Sequence, residues 1–305
     1  ERFATVEVEI YRLVAYELDM ARASVLVWLV LAATAAAGGL YAYWSRRVAV
    51  DKSVSPLPPR APVRAWEKWL TATVLAMLVL CCLLPLAAVW LKAAAAGSSW
   101  AVLLEAQTWA AAWNTIRFSA AAVAAATVLG VLYAAAARQM AWLRALMFLP
   151  FMVSPVCIAF GVLLLYPQWT ASLWLLTATY ALLAYPFVAK DVLAAWDGLP
   201  KDYAAAARTM GANGFQTACY VTAPLLKPAL RRGLTLASAT CIGEFAATLF
   251  LSRPEWQTLT TLIYDYLGRA GADNYGRAMV LTAVLTALAL AAFLLVDEAE
   301  GQKAV

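Results

Sequence analysis

Gly198–Gly233, GLPKDYAAAARTMGANGFQTACYVTAPLLKPALRRG, is a polar interruption between long apolar runs. It carries Lys201, Asp202, Arg208, Asn213, Gln216, Lys227, Arg231 and Arg232, so it must lie outside the hydrocarbon of a membrane. The Ala-rich run Asp202–Met210 predicts a short helix just after Pro200, with Asp202 near its positive end. Gly211 and Asn213-Gly214 stop that helix and accept the positive φ of a turn. A second helical stretch is expected from Phe215 to about Thr222, running into Ala223-Pro224, with Pro228 limiting its continuation. The result is a helix-turn-helix hairpin held against the membrane face. A solvated loop that merely joins two spans is the alternative, but such a loop has no need of two helices broken by Gly.

The composition around this stretch is that of an integral membrane protein: 64% of the 305 residues are hydrophobic and 13% charged. There is no His and no GxxxxGK[ST] run, so the chain has no phosphate loop, and any ATP used is bound by another chain. Cys81, Cys82, Cys157, Cys219 and Cys241 lack metal-ligand spacing and read as small hydrophobes. Scattered acids and the absence of His exclude the usual catalytic constellations, so no catalytic residue, metal site or cofactor is expected. The net charge of +5 reflects membrane topology and does not indicate a nucleic-acid partner.

Seven runs are long enough to span a bilayer at roughly 20 residues each: Ala23–Trp44, Trp69–Leu91, Trp113–Ala137, Ala145–Tyr166, Ser172–Ala189, Gly233–Leu251 and Arg277–Val296. The expected fold is an all-α polytopic membrane bundle. The loops 45–68, 138–144 and 190–232 and the C-terminal tail hold 15 of the 23 basic residues, which places them, the hairpin and the C-terminus on the cytoplasmic side and residues 1–22 outside. Trp residues such as Trp28, Trp69, Trp90 and Trp174 fall near span edges, as belt residues do.

Ser45–Lys68, with Pro56, Pro58, Pro59 and Pro62, reads as an inter-domain linker. Residues 3–47 can be laid over 256–301, matching Ile10-Tyr11 with Ile263-Tyr264 and Arg22-Ala23 with Arg277-Ala278 after a two-residue insertion. This is expected to be an internal repeat. An odd span count and an outer N-terminus without a signal are both expected of a fragment that holds the last span of a first repeat, a linker and a complete six-span second repeat.

The run Ala205-Ala206-Ala207-Arg208-Thr209-Met210-Gly211, followed by Ala223-Pro224, resembles the EAA loop of permease subunits of type I, binding-protein-dependent ATP-binding-cassette importers. Ala205 stands where that family has Glu, Ala206 and Ala207 match, Gly211 is the family Gly, and Ala223-Pro224 replaces Leu-Pro. The resemblance implies 1–47 as the end of a first permease repeat, 48–68 as a cytoplasmic linker and 69–305 as the second repeat, with 198–233 as the coupling hairpin. It implies a bacterial inner-membrane subunit that is not itself an enzyme, whose partners are a dimer of ATPase subunits, a periplasmic binding protein and membrane lipid. Ala205, Ala206, Ala207, Arg208, Gly211, Ala223 and Pro224 are its expected ATPase-coupling residues.

Glu244, within Gly243-Glu244-Phe245, is the acid set well inside an apolar span. Placing a carboxylate there costs about 2.5–3.5 kcal/mol, so it should face a pathway or a partner and not lipid. Gly243, Glu244 and Phe245 are the pathway candidates; a structural hydrogen bond between helices is the alternative for Glu244. GEFAATLFLSRPEWQTLTTLIYDYLGRAG also resembles the end of ferric-iron and thiamine permeases. Ferric iron is therefore the expected substrate, with thiamine next and a phosphonate or polyamine after it. Pro150, Pro155, Pro167 and Pro186 are expected to kink the middle spans, and Trp113–Ser119 reads as an interfacial anchor with Arg117 snorkelling outward. An ion-coupled secondary transporter would show several intramembrane acids, and a membrane enzyme would show acid or His sites at the interface.

Overall fold

The computed structural model describes residues 5–48, 64–147, 149–169, 172–251 and 253–297. Every regular element among them is helical, so the all-α expectation holds. In chain order the helices are α1 (Val6–Ala15), α2 (Met20–Val48), α3 (Ala65–Ala94), α4 (Ala106–Gln139), α5 (Ala141–Leu146), α6 (Leu149–Met152), α7 (Pro155–Leu165), α8 (Leu173–Gly198), α9 (Lys201–Thr209), α10 (Gly214–Thr217), α11 (Ala223–Ile242), α12 (Ala246–Leu251), α13 (Leu259–Gly268) and α14 (Ala272–Asp297). Most of the Pro-rich linker lies outside the described residues. Its two ends are helical, because α2 runs to Val48 and α3 begins at Ala65.

Five helices among the described residues are long and apolar enough to cross a membrane, within α2, α3, α4, α8 and α14. The two other expected spans are broken. Ala145–Tyr166 is divided among α5, α6 and α7; Pro155 opens α7 at its first turn, where its missing N–H costs nothing. Gly233–Leu251 stops at Gly243, and Glu244 and Phe245 separate α11 from α12. From Gly233 to Ile242 only roughly 15 Å of helix remains, half of a hydrocarbon thickness of about 30 Å.

The core is built by small residues that let backbones approach. Ala122, Ala126, Gly130 and Ala134 repeat every four residues on the buried face of α4, and Leu176, Tyr180, Ala184, Val188 and Val192 do so on α8. α11 packs on both α8 and α4. Val188 is therefore gripped between Gly130 of α4 and Gly233 of α11. A second core joins Val102, Leu259, Leu262, Val280 and Leu281, and a third places Ile10, Leu13 and Val14 of α1 against Cys157 and Phe160 of α7. α3 exposes Leu75, Met77, Leu78, Leu80, Leu83 and Leu84, as a lipid-facing span would.

Candidate functional site: a hairpin, a broken span and the far-end network

The hairpin forms with defined caps. α9 follows Pro200, carries Asp202 in its first turn, and ends in a Schellman arrangement around Gly211 at φ +89°. The Gly211 amide donates to the Arg208 carbonyl at 3.0 Å, and the Ala212 amide donates to the Ala207 carbonyl at 3.1 Å. Asn213 then starts α10 with a capping box: its Oδ1 accepts from the Gln216 amide at 2.8 Å, while Gln216 Oε1 accepts from the Asn213 amide at 2.9 Å.

Beyond α10 the chain departs from the sequence expectation. Pro224 and Pro228 do not end the second helix; α10 passes through a π-helical turn, Ala218–Thr222, into α11. The Ala223 amide reaches back five residues to the Ala218 carbonyl. That wider turn opens room where the Pro224 ring would otherwise meet a carbonyl of the preceding turn. The hairpin's second arm and α11 are thus one mechanical element.

Ala207 is on the buried face of α9, whereas Ala205, Ala206 and Arg208 are exposed, as are Ala223 and Pro224. Around the turn, Met210 is 81% exposed, Phe215 76% and Tyr220 78%. Three large side chains are thus left open on one short hairpin. Inside its crook is a cavity of about 280 Å³ lined by residues including Trp196, Tyr203, Arg208, Thr217 and Leu225. Arg144 braces the base: its guanidinium donates to both Asp197 oxygens, at 2.7 and 3.2 Å, and to the Ala137 carbonyl at 2.9 Å. Arg138 lies 4.7 Å over the Trp196 ring. Together these tie the ends of α4, α5 and α8 where the hairpin departs.

At the other end of α11 the buried Glu244 is occupied locally. Its Oε1 accepts the Ala247 amide at 3.1 Å, capping α12. Its carbonyl accepts from Tyr180 Oη at 3.3 Å and Thr260 Oγ1 at 3.1 Å, and Tyr180 also hydrogen-bonds Thr248. Gly243 is exposed, and Phe245 packs on Tyr264 with ring centroids 5.2 Å apart.

The end of the bundle opposite the hairpin carries contacts that sequence reasoning missed. Arg277 bonds Glu105 at 2.6 Å and Asp273 at 2.8 Å, Ser99 donates to Asp273 at 2.8 Å, and Tyr266 donates to Glu105 at 2.9 Å. Asn114 and Thr115, read from sequence as part of an interfacial anchor, are buried and hold the segment after α12. Asn114 Nδ2 donates to the Glu255 and Gln257 carbonyls at 3.1 and 2.8 Å, and Thr115 Oγ1 accepts the Leu259 amide at 2.9 Å. Their position in the first turns of a span beside Trp113 suits an anchor equally well, so no local signal separates the two roles. No three His, Cys, Asp or Glu side chains cluster as a metal site among the described residues.

A family model described as "Binding-protein-dependent transport system inner membrane component" matches residues 126–297, more than half of the chain and all of the hairpin. The chain belongs to this family. This family member is similar to PhnV of Salmonella typhimurium, named for 2-aminoethylphosphonate transport, at 29% identity over 64% of this chain and 72% of that one. It also resembles the sulfate transport permease CysT of Escherichia coli (32% identity, 48% and 58% covered) and the molybdenum transport permease ModB of Haemophilus influenzae (30%, 35% and 48%). Its fold matches a chain of a bacterial ABC transporter that imports alginate, with a TM-score of 0.63 and 17% identity over 78% of this permease and 97% of that chain. The protein is therefore a multi-pass inner-membrane permease subunit of a binding-protein-dependent importer, and a transmembrane component without enzymatic activity of its own.

Proposed function

We propose that the permease couples ATP hydrolysis in separate subunits to substrate passage through the hairpin Gly198–Gly233. The observation that carries this is the continuity of the hairpin's second arm with α11, which crosses α8 at Gly233 and stops at the Gly243–Phe245 break. A push on the hairpin is delivered to the break along one stiff rod. Met210, Phe215 and Tyr220 supply the apolar knobs for a groove on the ATPase, with Arg208 at their side for acidic partners. Ala205, Ala206, Ala207, Gly211, Ala223 and Pro224 set the shape that enters that groove. Gly243, Glu244 and Phe245 form the joint on the pathway. Glu244 fixes the joint by capping α12, and Phe245 reaches toward the far end.

In this reading the hairpin end and the C-terminus are cytoplasmic, and α1 and α13 lie on the outer side. Residues 1–47 end a first permease repeat, 48–68 link the halves, and 69–305 form the second. The cargo is ferric iron or another small charged solute such as thiamine, a reading supported by the resemblance of the 243–271 segment to iron and thiamine permeases. A second reading, an oxyanion, is favoured by the phosphonate, sulfate and molybdenum names of the relatives. ATP-driven uptake of labelled ferric citrate, thiamine, aminoethylphosphonate, sulfate and molybdate by cells carrying the full transporter separates them. Uptake of an oxyanion alone rejects iron.

A further inference from the structure

α1 and α13 are built alike. Each has ten residues, each starts after a Thr (Thr5 and Thr258), and each leads through a short connection into a long apolar helix, α2 or α14. A single register places Thr5 on Thr258, Ile10 on Ile263 and Tyr11 on Tyr264. In the fold these two equivalent tyrosines touch: their ring centroids are 6.4 Å apart, edge to face at 89°. Contact between equivalent residues of two like units occurs at the axis that relates them, because elsewhere a residue meets a different one.

The pair also has a place along the pathway. Tyr11, Tyr16 and Tyr264, with Glu9, Arg12 and Glu17, line a cleft of about 650 Å³ at the end opposite the hairpin. Below it, Tyr11 packs edge-on against Phe250 at 5.8 Å, and Tyr264 against Phe245 at 5.2 Å. A run of aromatic rings thus leads from the cleft to the break that the hairpin rod ends on. Burial raises the Tyr11 phenol above its ordinary pKa, and Tyr264 adds to this, so Tyr11 stays neutral in the cleft.

We infer that Tyr11 and Tyr264 meet on the internal two-fold axis of the permease and close its pathway at the end opposite the hairpin, parting when the two halves rotate. This rests on the importer reading and on the internal repeat. The two rings are held at the seam by their edge-to-face contact and by a hydrogen bond between the phenols, so the gate opens by parting neutral groups and breaks no ion pair between α1 and α13.

The test uses the full-length permease with its ATPase subunits in proteoliposomes, in a background lacking all five cysteines. Tyr11→Cys and Tyr264→Cys are combined, with a protease site inserted in the 48–68 segment so that a cross-link keeps the two fragments together until reduced. Without nucleotide, a short bifunctional methanethiosulfonate, whose two reducible disulfide links span the space the rings occupied, is expected to join them, and trapping the ATPases closed with ATP and vanadate is expected to cut the yield about fivefold or more. The cross-linked protein is expected to lose ATP-driven uptake and to regain it on reduction. Equal cross-linking in both states, or uptake unaffected by the cross-link, overturns the gate. Absence of any cross-link overturns the placement on the axis. If the cysteine-free parent couples to no ATPase, the importer reading fails first and the gate falls with it.

Discussion

A methyl group placed on Gly233 would lie 2.7 Å from Val188 Cα and 3.1 Å from the Phe187 carbonyl oxygen. Both neighbours are backbone and cannot rotate away. Gly233→Ala is therefore expected to push α11 off α8 and cost about 1–3 kcal/mol, read as a lower thermal midpoint in detergent. Gly243→Ala is the control: its added Cβ would be 3.5 Å from the Ala239 carbonyl, an ordinary contact. Equal midpoints for the two variants would mean that α8 and α11 do not pack this closely.

Gly211 has open space around its Cα but a φ of +89°, so Gly211→Ala strains the turn without a clash, by about 1 kcal/mol. Asn213→Ala removes the reciprocal cap on the far side and costs a similar ~1 kcal/mol. Both changes fall on an element outside the core. Hydrogen exchange is expected to rise in residues 201–222 while the amides of α4 and α8 stay protected.

Asn114→Ala leaves the carbonyls of Glu255 and Gln257 without their side-chain donor at the edge of the bundle, at a cost of about 1 kcal/mol. Asn114→Asp is expected to be worse, because a carboxylate then faces two carbonyl oxygens. An Asp variant as stable as wild type would show that these bonds do not hold the segment.

Glu244→Gln keeps an oxygen for the Ala247 amide and drops a buried charge, so its thermal midpoint is expected to equal or exceed that of wild type. Glu244→Ala loses the cap, about 1 kcal/mol. A Gln variant that unfolds early would show that the charge itself holds the break together.

The hairpin was legible because its signals are local: Gly211, the Asn213–Gln216 spacing and the sudden density of charge each act within a few residues. The two broken spans were legible only in part: apolar length reads Ala145–Tyr166 and Gly233–Leu251 as whole, while Pro150 and Pro155 in the first and Glu244 in the second mark the places where a kink becomes a break. Pro224 and Pro228 misled in the opposite direction. A helix stop and a π-turn begin with the same missing N–H, and tertiary packing of α11 on α8 decides between them. The roles of Asn114 and Arg277 lie in partners 141–172 positions away, beyond any local pattern.

The most direct measurement is association and ATPase activity of the full-length permease with its ATPase, compared with Gly211→Pro. Proline holds φ near −65° and has no amide for the Arg208 carbonyl, so it cannot adopt the turn at +89°. The variant is expected to keep the thermal midpoint of the bundle, to lose association with the ATPase, and to lose the stimulation of hydrolysis by the binding protein. A folded Gly211→Pro permease that binds the ATPase and couples as wild type does would contradict the hairpin's role as the coupling element.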